Sequence, residues 1–216
     1  MTAQAPIIGI VRHRLTTDGD GVTTLVAFHT CTLHCKFCLN PQSLEKPEDY
    51  PIYTPQRLYD EVAIDNIYFL ATGGGITFGG GEPCLRSDFI TQFRDLCGAD
   101  WNLSIETALN VPQQHIERLL PVIHHWIIDI KDMNPDIYHN YTGKTNDRVV
   151  ENLKLLANNG LQEHCMVRIP LIPGYNSADD CNRSIAQLKA LGFIHFDQFT
   201  YKTDIGSKKT ADNQGL

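Results

Sequence analysis

The sequence predicts an α/β fold of six strand–helix units, arranged either as an open, partial barrel or as a doubly wound sheet. Short apolar or β-branched segments alternate with longer amphipathic segments about six times, at spacings of roughly 25 to 35 residues. Glycine, proline and asparagine separate many of these segments. Six units are fewer than the eight of a closed (β/α)8 barrel.

The predicted strands are short and rich in Val, Ile and Phe, which is typical of strands buried in a parallel sheet. They cover residues 7–11, 22–28, 76–78, 101–106, 125–130, 165–171 and 196–201.

The predicted helices lie between these strands and begin at recognisable signals. Thr54 and Pro55 are typical of an N-cap followed by proline at the first helical position, and Ser87 with Asp88 is expected to cap the next helix. The predicted helices cover about residues 55–70, 88–97, 112–120, 135–141, 147–159 and 177–191.

We expect a single domain over residues 1–216, because no stretch has the composition of a linker. Its 42% hydrophobic content is sufficient for one core. The N-terminal segment, residues 1–21, ends in a turn rich in Gly and Asp. The polar residues 203–216 are expected to form a flexible tail.

Composition and charge exclude several classes of protein. A net charge of −7 argues against nucleic-acid binding, which requires lysine and arginine to neutralise phosphates. No segment approaches the roughly 20 apolar residues of a membrane span, and no secretory signal is visible. Seven cysteines, an odd number, argue against a disulfide framework, so we expect a cytoplasmic protein.

Three cysteines directly follow the predicted strand at residues 22–28. Cys31, Cys35 and Cys38 lie at spacings of four and three residues. Such a group can hold zinc if a fourth ligand is present, and can hold an iron–sulfur cluster in which one iron lacks a protein ligand. It can also be structural, and the spacing alone does not decide. Candidates for a fourth zinc ligand are His29, His34 and Cys84.

Polar side chains and glycines follow the later strands at corresponding places. The carboxyl ends of parallel strands form the active-site face in α/β folds. We therefore expect these residues to converge with the cysteines on one site. They are Gly79 to Glu82, Glu106 with Thr107, Asp129 with Lys131, and Arg168 within the strand at 165–171.

The pattern Cys31-x3-Cys35-x2-Cys38, with Phe37 before the third cysteine and Gly-Gly-Glu at 80–82, resembles the signature of the radical S-adenosylmethionine (radical SAM) superfamily. The resemblance implies a partial (β/α)6 radical SAM barrel. It implies that the three cysteines bind a [4Fe–4S] cluster whose open iron chelates S-adenosylmethionine. Reductive cleavage of that cofactor yields a 5′-deoxyadenosyl radical.

Over roughly residues 8–209 the chain also resembles glycyl-radical-enzyme activating enzymes of the pyruvate formate-lyase activase type. The matching segments are 17–22, 38–41, 72–77, 79–82, 129–133, 142–146 and 167–174. This resemblance implies a glycyl radical enzyme as protein substrate, a flavodoxin or ferredoxin-type reductant, and anaerobic chemistry. The absence of cysteine between residues 38 and 73 indicates the minimal, single-cluster form.

The resemblance further implies individual roles. Asp129 is expected to act in catalysis beside the three cysteines and, with Asp18, to face the protein substrate. The residues expected to bind the cofactor are Phe37, Gly80, Gly81, Glu82, Glu106, Thr107, Lys131 and Arg168.

Four positions depart from the usual residues of these activases. Thr30 stands where Gly is usual, Leu39 and Lys202 stand where His is usual, and Glu106 stands where Asp contacts the cofactor or a monovalent cation. Two other functions therefore stay open. One is a radical SAM enzyme acting on a small molecule or peptide, and the other is a zinc-binding α/β module.

Overall fold

A computed structural model describes residues 2–15 and 18–201. Its eight strands form one sheet in the order β3-β1-β2-β4-β5-β6-β7-β8. In chain order the strands are β1 (Ala5–Leu15), β2 (Val22–Phe28), β3 (Ile52–Tyr53), β4 (Gly75–Gly80), β5 (Asn102–Thr107), β6 (His125–Asp129), β7 (Cys165–Leu171) and β8 (His195–Thr200).

Six of these strands, β2 and β4 to β8, are parallel to one another. Strands β3 and β8 lie at opposite ends of the strand order, so the sheet formed by the described residues is open. The predicted fold class, a partial barrel of six strand–helix units, is confirmed.

Strand β1 is longer than the prediction of residues 7–11. It pairs antiparallel with β2 as far as Leu15, opposite Val22. The second half of β1 is largely exposed, and most of its residues are polar. The apolar pattern used to predict buried strands therefore does not mark this part of β1. The predicted tail at 203–216 and Lys202 lie outside the described residues.

The helices cover the sheet between successive strands. They are α1 (Pro55–Val62), α2 (Asn66–Thr72), α3 (Ser87–Cys97), α4 (Gln113–Leu119), α5 (Pro135–Thr142), α6 (Asp147–Asn158) and α7 (Ala178–Ala190).

The single helix predicted over residues 55–70 is wrong, because a 3-10 turn at Ala63–Asp65 divides it into α1 and α2. Asp65 is fully buried in this turn. Its carboxylate pairs with Arg12 of β1 and accepts a hydrogen bond from the Thr24 hydroxyl of β2 at 3.2 Å. The break in the helix lies where this buried carboxylate meets the sheet.

The two predicted N-caps have different outcomes. The hydroxyl of Thr54 accepts a hydrogen bond from the Arg57 backbone N–H at 3.1 Å, as expected. The cap at Ser87 is wrong, because a 3-10 turn at Pro83–Arg86 leads directly into α3. The Ser87 hydroxyl instead lies 2.9 Å from Nδ1 of His115 on the neighbouring helix α4.

The core lies between the sheet and the helices. Phe78 of β4 is fully buried, and its ring centroid lies 5.7 Å from those of Phe28 and Phe93. This aromatic contact joins β2, β4 and α3. Within the described ranges, no helix combines the length and apolar character needed to cross a membrane.

Replacing Phe78 with alanine should lower the free energy of unfolding by about 3–5 kcal/mol, because it leaves a cavity between β2, β4 and α3. Urea denaturation would measure the change. Ile67→Ala is the control, since Ile67 is 70% exposed on α2 and should change stability by no more than about 0.5 kcal/mol. An equal loss of unfolding free energy in Phe78→Ala and Ile67→Ala would contradict the placement of Phe78 in the core.

Candidate functional site

A cavity opens at the carboxyl ends of the parallel strands. Its lining includes most of the residues that the sequence predicts as a site. They are Cys31, Cys35, Cys38, Gly80, Gly81, Glu106, Thr107, Asp129, Lys131 and Arg168. The expected convergence of strand-end residues is thus present in the structure.

The three cysteines reach the cavity on the loop that follows β2. Burial raises the pKa of the Cys31 thiol to about 12 and that of Cys35 to about 11. Both thiols are therefore protonated at neutral pH until a metal displaces the protons. Binding of a metal centre here would release protons, as is general for thiolate sites.

The proposed ligands of a single zinc ion do not come together. In the part of the chain that the structure describes, no three His, Cys, Asp or Glu side chains are placed to hold one metal ion. The ring nitrogens of His29 contact the Thr30 hydroxyl at 3.0 Å and the Glu45 carbonyl at 3.1 Å. Cys84 is buried outside the cavity lining, with its Sγ 3.3 Å from the Thr107 hydroxyl.

An iron–sulfur cluster makes a different demand on the cysteines. A single ion needs all its ligands around one point, whereas a cluster gives each thiolate its own iron. Cys31, Cys35 and Cys38 line one cavity without sharing a single-ion site. Their arrangement fits the cluster.

The strand predicted at 76–78 extends into the glycine run, since Gly79 and Gly80 pair with Ala27 and Phe28 of β2. Gly81 lies directly against the cysteine loop. A Cβ atom on Gly81 would collide with the Thr30 carbonyl, so no larger residue fits without moving that loop. Glycine is required for the close approach of the two backbones.

Glu82 is absent from the cavity lining, and its expected role in binding the cofactor stays a prediction. Its carboxylate is buried and accepts hydrogen bonds from the Thr107 hydroxyl at 2.7 Å and from the backbone N–H groups of Cys84 at 3.1 Å and Ala108 at 3.0 Å. Burial raises the pKa of Glu82, and these three donors oppose the shift. Glu82 therefore joins the ends of β4 and β5.

The Phe37 side chain is also absent from the cavity lining. Its ring packs against Tyr141 and Tyr175, with centroid distances of 6.1 Å and 5.9 Å. The ring thus fixes the outer side of the cysteine loop to α5 and to the loop after β7. The expected contact of Phe37 with the cofactor, through its backbone or its ring, stays a prediction.

Asp18 is 2% exposed and is likewise absent from the lining, which corrects its predicted position facing a protein substrate. Its carboxylate pairs with Arg14 of β1. Its backbone carbonyl accepts a hydrogen bond from the Thr77 hydroxyl of β4. These contacts hold Asp18 in the interior.

Two ion pairs line the cavity. Arg168 contacts Glu106 at 2.7 Å, and Lys131 contacts Asp129 at 2.5 Å. Burial lowers the pKa of Lys131, but Asp129, Tyr201 and Cys35 together outweigh this effect, and the pKa lies well above its usual value. Burial raises the pKa of Glu106, and the Arg168 guanidinium opposes that rise.

Asp129 has one unsatisfied oxygen. Its Oδ2 atom accepts from Lys131, whereas Oδ1 is buried and has no hydrogen-bond partner among the described residues. A buried acceptor without a donor is costly. Since Asp129 lines the cavity, a bound group that donates a hydrogen bond would satisfy it. Lys131 itself has φ of 60°, an unusual backbone conformation for a residue with a side chain.

Sequence reasoning missed Tyr201 and Asn40, which also line the cavity. The Tyr201 hydroxyl lies 3.5 Å from Nζ of Lys131, and the Asn40 amide donates to the Gly80 carbonyl at 3.0 Å. Tyr201 directly follows β8, so the strand-end rule that identified the other residues applies to it as well. Asn40 carries no such signal.

The family model of the radical SAM superfamily matches residues 25–180. Among curated relatives, the isethionate sulfite-lyase activating enzyme of Desulfovibrio desulfuricans is 24% identical over 89% of this chain and 81% of its own length. The pyruvate formate-lyase 2-activating enzyme of Escherichia coli is 29% identical over 79% and 68%. The (2S)-3-sulfopropanediol dehydratase activating enzyme of Klebsiella oxytoca is 36% identical over 54% and 37%.

Two solved structures share the fold. SuiB of Streptococcus suis bound to S-adenosylmethionine has a TM-score of 0.64 at 17% identity, covering 82% of this chain and 40% of SuiB. anSMEcpe with bound AdoMet and Kp18Cys peptide has a TM-score of 0.57 at 16% identity, covering 87% and 52%.

The family model spans most of the chain and includes the three cysteines, which overturns the alternative of a zinc-binding module without redox function. The cofactors of the family are a [4Fe–4S] cluster and S-adenosylmethionine. The donor set of the cavity fits both: three thiols for the irons, and paired charges for the amino and carboxylate groups. The chain therefore belongs to the radical SAM superfamily.

Proposed function

We propose that this protein is an activating enzyme that installs a glycyl radical on a partner enzyme. The observation that carries the proposal is the meeting, in one open cavity, of the three cysteines with the Asp129–Lys131 pair and Arg168. The proposal gains support from the relatives named above, which are activating enzymes and align with more than half of the chain.

In this proposal Cys31, Cys35 and Cys38 hold the cluster, and the charged residues hold S-adenosylmethionine. When bound, the reduced cluster and S-adenosylmethionine supply a 5′-deoxyadenosyl radical that removes a hydrogen atom from a glycine Cα. Arg168 suits the carboxylate of the cofactor, because its planar guanidinium presents paired N–H donors.

The neighbours of Arg168 orient it for this role. Glu106 contacts it at 2.7 Å, and Asp197 of β8 lies 3.8 Å from its Nε atom. The side chain is thereby fixed between β5 and β8 before a ligand arrives, which lowers the entropic cost of binding. Glu106, longer by one methylene than the Asp usual in the activases, acts here as a partner of Arg168.

The partner in this proposal is a glycyl radical enzyme, whose loop enters the open side of the cavity. Leu39 at the rim is 56% exposed and offers an apolar contact to that loop. Asp129 Oδ1, which has no donor among residues 2–15 and 18–201, accepts a backbone N–H of the loop or the ammonium group of the cofactor. A flavodoxin or ferredoxin-type protein supplies the electron, in an anaerobic cytoplasm.

A second candidate is a radical SAM enzyme that modifies a small molecule or a peptide. It is favoured by the departures at Leu39 and Glu106, which line the same cavity. It shares the cluster and the cofactor with the first candidate but yields no radical on a partner protein.

The cysteine assignment predicts iron content. Anaerobically reconstituted protein should contain about four irons per chain, and Cys31→Ser should retain less than about half of them. Elemental analysis and absorbance would measure this. Cys97→Ser is the control, because Cys97 is partly exposed at the end of α3 and outside the cavity lining, and it should keep the full iron content. Equal iron in both variants would refute the assignment.

The activase function predicts a protein radical. The loaded protein, incubated anaerobically with reductant, S-adenosylmethionine and candidate glycyl radical enzymes, should give a doublet electron paramagnetic resonance signal with one of them. The signal should disappear when the partner's radical-bearing glycine is replaced by alanine. Accumulation of 5′-deoxyadenosine without a glycyl signal for any partner would support the second candidate instead.

A further inference from the structure

We propose that the carboxyl end of α5 is the element that positions Cys35 for cluster binding. The proposal rests on the cluster of the radical SAM superfamily and is independent of the glycyl radical. It assigns a role to residues 142–146, the Thr-Gly-Lys-Thr-Asn segment, which carries part of the sequence resemblance but has no place in the cavity lining.

The two backbone N–H groups that flank Cys35 both donate to the end of α5. The His34 N–H donates to the Thr142 carbonyl at 3.1 Å, and the Lys36 N–H donates to the Tyr141 carbonyl at 3.2 Å. The last carbonyls of a helix have no donor within the helix. The cysteine loop supplies these donors. The backbone N–H groups before and after Cys35 and the last carbonyl groups of α5 thus satisfy one another's hydrogen bonds.

The end of α5 is itself fixed. Gly143 ends the helix in the left-handed conformation, with φ of 72°, and its N–H donates to the His139 carbonyl at 2.8 Å. Thr142 is fully buried, and its hydroxyl donates to the Tyr138 carbonyl at 2.8 Å.

A buried asparagine connects this helix end to the barrel. The Asn110 side-chain amide, just after β5, donates to the Tyr138 hydroxyl at 3.0 Å and to the Thr145 carbonyl at 2.8 Å. The positions of the two carbonyls that hold the cysteine loop are therefore set by the barrel and not by the loop.

This arrangement has an electronic consequence. N–H groups that donate to cluster sulfurs stabilise the extra negative charge of the reduced cluster and so raise its reduction potential. The N–H groups of His34 and Lys36 are occupied by α5 and cannot serve in this way. The helix end thus holds Cys35 in place and favours a low potential, which reductive cleavage of a sulfonium requires.

Gly143→Ala tests the proposal. An added Cβ would meet no atom within 4 Å, so the substitution acts only through the left-handed backbone, which alanine disfavours. In the cluster-free protein the amides of His34 and Lys36 should exchange hydrogen about fivefold faster. In the loaded protein, iron should be released faster to a chelator and the midpoint potential should shift upward.

Gly160→Ala is a matched control. Gly160 also has φ of 72° and open space where a Cβ would lie, but it follows α6 and lies next to the turn that leads into β7, away from the cysteine loop. Gly160→Ala should lower the midpoint temperature of unfolding about as much as Gly143→Ala does. It should leave the amide exchange of His34 and Lys36, the rate of iron release and the midpoint potential of the cluster unchanged. Gly143→Asn should restore wild-type behaviour, because asparagine tolerates this conformation.

The proposal is overturned if Gly143→Ala loses stability while the two amides, the iron release rate and the potential stay at wild-type values. It is equally overturned if Gly160→Ala changes these three quantities as much as Gly143→Ala does. Should Gly143→Ala fail to fold, Asn110→Ala removes the amide that donates to the Tyr138 hydroxyl and the Thr145 carbonyl, and it should likewise speed exchange of the His34 and Lys36 amides. Wild-type exchange of both amides in Asn110→Ala would overturn the proposal.

Discussion

The close contact between Gly81, at the end of the glycine run, and the cysteine loop after β2 is the constraint on which the site depends. The Gly81 N–H donates to the Phe28 carbonyl at 2.9 Å, and the Glu82 N–H donates to the Thr30 carbonyl at 2.8 Å. This contact leaves no space for a Cβ on Gly81. These hydrogen bonds continue the pairing of β2 and β4 past the ends of the two strands. They therefore fix the backbone at Thr30, the residue that precedes the first cysteine.

Glu82 extends the same constraint to the next strand. Its buried carboxylate holds the Thr107 hydroxyl and the Ala108 N–H at the end of β5. Glu82 thereby fixes the position of the end of β4 relative to the end of β5, and both strand ends line the cavity. Ion pairs continue the connection around the barrel: Glu106 of β5 meets Arg168 of β7, and Asp129 at the end of β6 meets Lys131.

Much of the fold could be predicted because strands buried in a parallel sheet have a simple composition. The segments at 22–28 and 165–171 match the observed strands, since apolar and β-branched side chains make up most of their length. The pattern fails where burial is partial, as in the second half of β1. It also fails at Asp65, because a polar residue that interrupts a helix by binding a distant strand leaves no local signal.

The candidate site was predictable in position but not in side-chain direction. The rule that strand ends converge placed Glu106, Lys131 and Arg168 in the cavity and would also have found Tyr201. It could not show that Glu82 turns into the core or that Phe37 packs outward. Those directions depend on partners far apart in the chain, such as Ala108 for Glu82 and Tyr175 for Phe37.

We propose that the cysteines and the strand-end charges form a single site for the cluster and S-adenosylmethionine. Electron–nuclear double resonance of the anaerobically reduced protein with carboxylate-labelled ¹³C-S-adenosylmethionine tests it most directly. A coupling between the label and the cluster spin is expected in the wild type, and it should weaken in Arg168→Ala. A cluster signal with no coupling to the label, at saturating cofactor, would contradict the claim.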